Sequence, residues 1–204
     1  MTHDSTQNPQ LAVILEAIQN HDYPDSIEQI KAYVAELEAH ERFYPASQLL
    51  SHTRERYQSI RQFQTETAQG KWWQSDTAQD EVWITQKQAF FTYKNPELPP
   101  RTRFNDTLLL LEEIGLRDAT NCNAETLALG GAAYKRKWQH FGQLEDLIEA
   151  LFFYRAAFER NPKQDKGYGG VNAAFILDLL ADRAKQIARR SGIKFNESEA
   201  SNFS

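Results

Sequence analysis

The stretch that decides the fold is GGAAYKRKWQHFGQLEDLIEALFFYRAAFERNP, residues 130–162, where small and aromatic side chains recur at helical spacing. The recurring positions are Gly131, Tyr134, Ala150, Tyr154, Ala157, Phe158 and Pro162. Gly131 and Ala150 lack bulk, so two helices can approach closely there, and Tyr154 can fill the gap toward the next pair. Pro162 cannot continue a helix and ends the second one. The stretch therefore predicts a close pair of antiparallel helices.

This order of small and aromatic residues is typical of a tetratricopeptide repeat, a helix pair that stacks on its copies. The separation between Tyr134 and Ala150 is wider than in the standard repeat by about two helical turns. The same faces therefore still meet, and the helices are simply longer. An irregular helical bundle is the alternative, because small and aromatic residues occur in any helical core.

The rest of the chain also favours helices, because glycine and proline are sparse and fall at a few turn positions. Apolar stripes with helical spacing occur at Leu11, Ile14, Leu15 and Ile18, at Ile27, Ile30, Val34 and Leu37, and at Leu49, Leu50, Tyr57, Ile60 and Phe63. Further helices are expected near 77–94 and 100–116, with a break at Gly70 over which Trp72 and Trp73 pack. The predicted fold is all-α, with about eight helices in antiparallel pairs forming a tetratricopeptide-like, right-handed α-solenoid.

The composition argues against several classes of function. A formal net charge of −5 over 204 residues argues against broad binding of nucleic acid. No apolar run approaches the length of about 18 residues that a membrane span needs. The polar N-terminus shows no secretory signal. The single cysteine, Cys122, fits a reducing compartment. We therefore expect a cytoplasmic protein whose partners are neither nucleic acids nor membranes.

Three segments together resemble a known family. They are AFFTYKNPELPPRTRFNDTLLLLEEIG, ETLALGGAAYKRKW and GYGGVNAAFILDLLA. They are similar to a bacterial family of tetratricopeptide-like proteins related to the TRAFs-binding, central regulatory region of the apoptosis signal-regulating kinases. The resemblance covers roughly residues 81–185, and the first 80 residues match only in being helical. It implies an α-solenoid scaffold that binds protein partners in signalling or defence, without a catalytic residue.

We expect one continuous domain. It would comprise N-terminal helical repeats at 1–75, a segment like the TRAFs-binding domain at 76–190 and a polar tail at 191–204.

The glycine cluster in KGYGGVN, residues 166–172, could be a phosphate loop or a corner between helices. A dinucleotide fingerprint would need a third glycine where Asn172 stands, and a Walker-type loop would need Lys-Ser or Lys-Thr after the glycines. The corner is favoured, with Gly167 ending a helix, and Gly169 and Gly170 giving freedom in φ and close approach.

Neither metal binding nor catalysis is expected from the sequence. No two of the histidines have the spacing of a zinc site; they are His3, His21, His40, His52 and His140. Cys122 lies in no nucleophile motif, so we expect an unreactive thiol. Seven aromatic residues are expected in the core rather than in a ligand-binding cage: Trp72, Trp73, Trp83, Phe90, Phe91, Tyr93 and Trp138. We therefore expect a non-enzymatic protein with no catalytic residue, no cofactor and no metal.

The repeat register predicts a partner-binding groove. With Gly131 as the small position, the groove-facing residues of its helix are Glu125, Ala128, Ala132, Lys135 and Arg136. Asn172 resembles the asparagine that bonds the backbone of a bound peptide in such repeats, and Asp178 lies further along the same wall. Lys135 and Arg136 would suit an acidic peptide or carboxylate.

Three alternatives stay open. The groove face could be a solvated surface whose cations pair with Glu145 or Asp146. A small phosphorylated ligand could bind near Lys135, Arg136 and the 166–172 corner, as in the regulatory part of an enzyme. The C-terminal helix, near 171–190, could pair with a second copy, because the end of a solenoid exposes an apolar face.

Overall fold

The computed structural model describes residues 8–67, 76–118 and 122–191, and it describes no side chains for 63–67, 76, 77 and 164. Eight helices of eleven residues or more occupy these ranges, together with one four-residue turn, α8, and no strand is present in them. Their bounds are α1 Pro9–Gln19, α2 Ile27–Ala39, α3 Phe43–Thr67, α4 Asp76–Lys94, α5 Pro100–Glu113, α6 Ala124–Phe141, α7 Leu144–Arg160, α8 Pro162–Asp165 and α9 Tyr168–Arg190. The predicted all-α helical repeat array of about eight helices is confirmed.

Capping side chains and a left-handed glycine mark several of the helix ends. Ser26 caps α2 by accepting a hydrogen bond from the Gln29 N–H, and Asn123 caps α6 in the same way. Gly142 ends α6 in the left-handed conformation, with φ of 73°. The chain leaves α7 at Asn161, directly before Pro162. The connections at 20–26, 40–42 and 142–143 are short, and the helices that they join pack against each other.

Two groups of buried side chains form the core. The first joins α1, α2, α3 and α4, and the second joins α4, α5, α6, α7 and α9. Helix α4 belongs to both, because Phe91 lies in the first group whereas Ala89 lies in the second. The sequence-based division of the chain at residue 76 stays a prediction, since a boundary is not visible in this shared helix.

Tyr154 is the close contact that the repeat pattern predicts. Its side chain is 1% exposed and lies against Gly131 of α6. A Cβ atom added at Gly131 would stand 2.8 Å from Cγ of the Tyr154 ring, and one at Gly169 would stand 2.5 Å from the Tyr154 carbonyl oxygen. Both glycines therefore let their helices approach α7 more closely than any other residue would.

Several expectations need correction. Gly169 and Gly170 lie inside α9 without positive φ, so close approach rather than conformational freedom explains them, whereas Gly167 does have φ of 83°. Ile60 is 39% exposed and contributes little to the core. The expectations for the Phe63 side chain, for Gly70, Trp72 and Trp73, and for the tail beyond residue 191 lie outside the described residues.

Gly131→Ala should destabilise the protein, although alanine favours helices over glycine by about 1 kcal/mol. The added methyl group collides with a buried ring that cannot move aside, and overpacking of this kind costs about 1–3 kcal/mol. Urea unfolding followed by circular dichroism gives the free energy of unfolding. Gly170→Ala is the matched control, because its methyl group meets only the half-exposed ring of Phe158, at 3.1 Å. A Gly131→Ala protein at least as stable as Gly170→Ala would contradict the close contact.

Candidate functional site

The 166–172 corner binds the carboxylate of Asp165, the residue directly before it. The Gly169 N–H at the start of α9 donates to both carboxylate oxygens of Asp165, at 2.8 and 2.9 Å. Gly167 precedes the helix in the left-handed conformation. The position where a phosphate would meet the helix N-terminus is therefore already filled by a negative group of the chain.

A cavity of about 450 Å³ opens on the face shared by α4, α6 and α9, with Glu38 of α2 at its edge. Three groove residues predicted from the register lie in its wall: Glu125, Ala128 and Ala132. Three aromatic residues join them from the neighbouring helices: Phe90, Tyr93 and Tyr168. We call this space the aromatic cavity.

Lys135 lies just beyond the aromatic cavity along α6 and is tied to α9. Its Nζ atom donates to Oδ1 of Asn172 at 2.7 Å, and Nδ2 of Asn172 donates to the Tyr168 carbonyl oxygen at 2.8 Å. The ammonium group also stands over the Phe175 ring, 4.9 Å from its centroid. Burial, and then the neighbouring charge of Arg136, lower the pKa of Lys135 from its ordinary value. Lys135 and Asn172 were each predicted to contact a partner. In the structure they form a hydrogen bond with each other.

The remaining predicted residues are more exposed. Arg136 donates to Oε1 of Gln139 at 2.9 Å and points to solvent. Asp178 is exposed on α9 and lies in the wall of none of the described cavities. The carboxylate of Asp146 pairs with Lys137, at 3.0 Å, rather than with Lys135 or Arg136.

Three cations on this face have no carboxylate partner within 4.0 Å among the described residues: Lys94, Lys135 and Arg136. Lys87, which lines the same cavity, is neutralised by Glu38 at 2.7 Å. We call the surface that carries Lys94, Lys135 and Arg136 the basic groove. Its positive charge contrasts with the net charge of −5 of the whole chain.

The residues that α4 brings to this face were not predicted from the sequence, nor was Tyr168 of α9. Phe90 and Tyr93 do pack against the core, as predicted, but they are only partly buried and also line the cavity with Lys94. Tyr168 is 51% exposed at the same place. The sequence does contain a pattern that predicts this face of α4, because helical spacing places four residues on one side: Gln86, Phe90, Tyr93 and Lys94. The register that assigned groove-facing positions on α6 could have been applied to α4 as well.

A larger cavity, about 830 Å³, is bounded in part by α3, α4 and α5. Its polar wall is largely paired within the protein. Arg61 donates to Glu81 at 3.2 Å, and Gln86 donates to Asn123 at 2.9 Å. The larger volume therefore does not make this cavity the better candidate for a binding site. The cations of the basic groove favour the face of the aromatic cavity instead.

The described residues offer little to redox or metal chemistry. No three His, Cys, Asp or Glu side chains among them come together in a way that could hold a metal ion. Burial raises the pKa of the Cys122 thiol to about 11, so the thiolate is scarce at neutral pH. None of the helices in the described ranges has the length and apolarity to cross a membrane.

Tyr93→Phe should reduce the loss of stability between pH 10 and pH 12. Burial, and then the neighbouring Tyr168, raise the pKa of Tyr93 to about 12, whereas the ordinary value is 10.0. The unfolded chain therefore releases this proton first, and rising pH favours unfolding in that window. Urea unfolding across this pH range measures the effect. Tyr44→Phe, at an exposed tyrosine, should keep the pH dependence of the parent, and an equal slope for Tyr93→Phe and the parent would contradict the assignment.

Comparisons with known proteins agree with the helix-pair architecture. The model of one family, Tetratricopeptide Repeats-Sensor, matches residues 54–177, which is more than half of the chain. The match begins in α3, earlier than the resemblance near residue 81 suggested. No curated protein and no solved structure matches the chain. With its glycine-to-tyrosine helix contacts and this match, the chain belongs to the Tetratricopeptide Repeats-Sensor family.

Proposed function

We propose that this protein is a non-enzymatic interaction module that binds a protein partner in the basic groove. Repeat arrays of the tetratricopeptide type suggest a role in protein–protein interaction or sensing. The observation that carries the proposal is the group of three cations, Lys94, Lys135 and Arg136, which have no carboxylate partner within the described part of the chain and lie beside an open cavity. The proposed setting is signalling or defence, which rests on the resemblance to a bacterial family related to the regulatory region of the apoptosis signal-regulating kinases. The proposed cytoplasmic location rests on the single cysteine of the sequence.

The charge of the groove favours an acidic partner. Lys94 and Arg136 are exposed, and a carboxylate that reaches them forms charge-assisted hydrogen bonds. Lys135 is partly buried and held in place by its hydrogen bond to Asn172, so ordering its long side chain costs little on binding. Glu125 stands at another part of the cavity wall, where it would receive a donor or a cation of the partner. Asp178 is proposed as a more distant contact on α9.

The alternative of a small phosphorylated ligand at Lys135, Arg136 and the 166–172 corner has weaker support. The Asp165 carboxylate occupies the Gly169 N–H and would repel a phosphate at that helix end. A protein partner does not need the Gly169 N–H, because its carboxylates can meet the exposed side chains of Lys94 and Arg136 instead.

Reversing the charge of two groove cations should abolish most of the binding. Random peptides displayed on phage are selected on the full chain, and the selected peptides are measured by fluorescence anisotropy. We expect them to be rich in Asp and Glu. The double variant Lys94→Glu/Arg136→Glu should weaken them about tenfold or more. Each exposed ion pair contributes up to roughly 1 kcal/mol, and a tenfold change corresponds to about 1.4 kcal/mol.

The matched control is Arg155→Glu/Lys185→Glu, which makes the same change of charge at two exposed side chains outside the cavity wall. It should bind the peptides as the parent does. Equal binding by the groove variant and this control would refute the proposed site, and a selection without acidic enrichment would refute the proposed partner class.

Self-association through the C-terminal helix is a separate proposal. Helix α9 leaves Val171 71% exposed and Leu177 54% exposed, and such apolar surface can pair with a second copy. Sedimentation velocity over a range of concentrations should show a dimer that Leu177→Asp removes. Leu109→Asp, at a leucine of α5 that is 64% exposed, should leave the dimer intact. A chain that stays monomeric at every concentration would end this proposal.

A further inference from the structure

We propose that the aromatic cavity takes one large aromatic side chain of the partner peptide. This inference rests on the proposed function, because the peptide is the one that the basic groove holds. It adds a second requirement to acidity, namely an anchor residue that enters the protein between α4, α6 and α9.

The shape of the cavity suits an aromatic ring. Phe90 and Tyr93 meet edge to face, with ring centroids 5.8 Å apart and planes at 81°. Tyr168 stands on the α9 side with half of its surface exposed. Ala128 and Ala132 are the smallest side chains in the wall and leave the central space open. A further ring can therefore extend the existing edge-to-face arrangement, which is the preferred geometry of aromatic pairs.

Two of the polar side chains in the wall, Gln86 and Lys87, are already engaged within the protein. Nε2 of Gln86 donates to Oγ1 of Thr126 at 2.8 Å and to Asn123. Lys87 pairs with Glu38 at 2.7 Å. A polar ligand would have to compete with these bonds, whereas an apolar group leaves them intact. Apart from the charged groups of Lys94 and Glu125, the faces that remain to be covered belong to rings and aliphatic side chains.

The size of the cavity agrees with one anchor. About 450 Å³ falls within the range of about 300–1,000 Å³ that is typical of ligand pockets. This is enough for one aromatic side chain with the adjoining backbone. Large, well-enclosed aromatic side chains dominate the binding energy of most protein interfaces.

The charges beside the cavity place the acidic residues of the partner next to its anchor. Nζ of Lys94 stands 5.4 Å from the Tyr93 centroid and 5.7 Å from the Phe90 centroid. Arg136 is close enough to Tyr93 to favour its phenolate, opposing the burial that raises the pKa. An aromatic side chain in the cavity therefore leaves its neighbours in the peptide within reach of both cations.

Four pools of synthetic acidic peptides test the anchor. Each contains Asp, Glu, Gly and Ser around one central position, which is Trp, Tyr, Leu or Ala. Anisotropy with the full chain should show the Trp and Tyr pools binding roughly thirtyfold more tightly than the Ala pool, the effect of removing a strong anchor. The Leu pool should lie between them.

Ala128→Leu fills the cavity without changing charge. It should weaken the Trp pool about tenfold or more and leave the Ala pool unchanged. Ala174→Leu, an equal enlargement at an exposed position of α9 outside the cavity wall, should leave every pool as it is. Circular dichroism and thermal unfolding establish that both variants fold as the parent does.

The outcomes separate this inference from the proposed function. If the four pools bind equally and Arg136→Glu still weakens them, the aromatic anchor is wrong while the basic groove stands. If Ala128→Leu weakens the Ala pool as much as the Trp pool, the cavity is not where the anchor lies. If no acidic pool binds, the proposed function fails together with the anchor.

Discussion

The structure of the second half depends on the contact of Tyr154 with two glycines. The Tyr154 ring occupies the space that a side chain at Gly131 would need, and the backbone carbonyl of Tyr154 lies against Gly169. One residue of α7 thereby fixes its distance to α6 and to the start of α9. The positions of Tyr168 and Asn172 follow, because both belong to the first two turns of α9. The wall of the candidate site is thus set by a packing constraint outside that site.

Helix α4 extends this order to the first half of the chain. It contributes Phe91 to one group of buried residues and Ala89 to the other, while Phe90, Tyr93 and Lys94 remain on its open face. A single helix therefore supports two cores and also supplies an aromatic and basic side of the groove. Because its core positions are fixed on both sides, the groove-facing side chains are presented by a rigid element, which favours specific binding.

The sequence allowed the local part of this arrangement to be predicted. The spacing of Gly131, Tyr154 and Pro162 predicted the α6–α7 pair, and the register placed Glu125 and Ala128 on the face where the cavity opens. The contacts between residues of different helices were harder to predict. The position of α9 relative to α6 depends on the connection between α7 and α9. The bond of Lys135 to Asn172 and the cap that Asp165 supplies both arise from that connection. Periodicity within a helix does not contain this information.

Charge and cavity would serve different purposes in a bound complex. Lys94 and Arg136 are exposed, so their attraction for an acidic partner acts at a distance and is screened by salt beyond about 8–10 Å. Such charges chiefly speed association and select the sign of the partner. The aromatic cavity acts only at contact, and the free energy from burying a ring there is largely insensitive to moderate salt. A partner with charge alone would therefore dissociate readily, whereas one that also inserts a ring would be retained. The net charge of −5 of the whole chain opposes the approach of an acidic partner, so the contact energy of an inserted ring would add retention that charge alone does not supply.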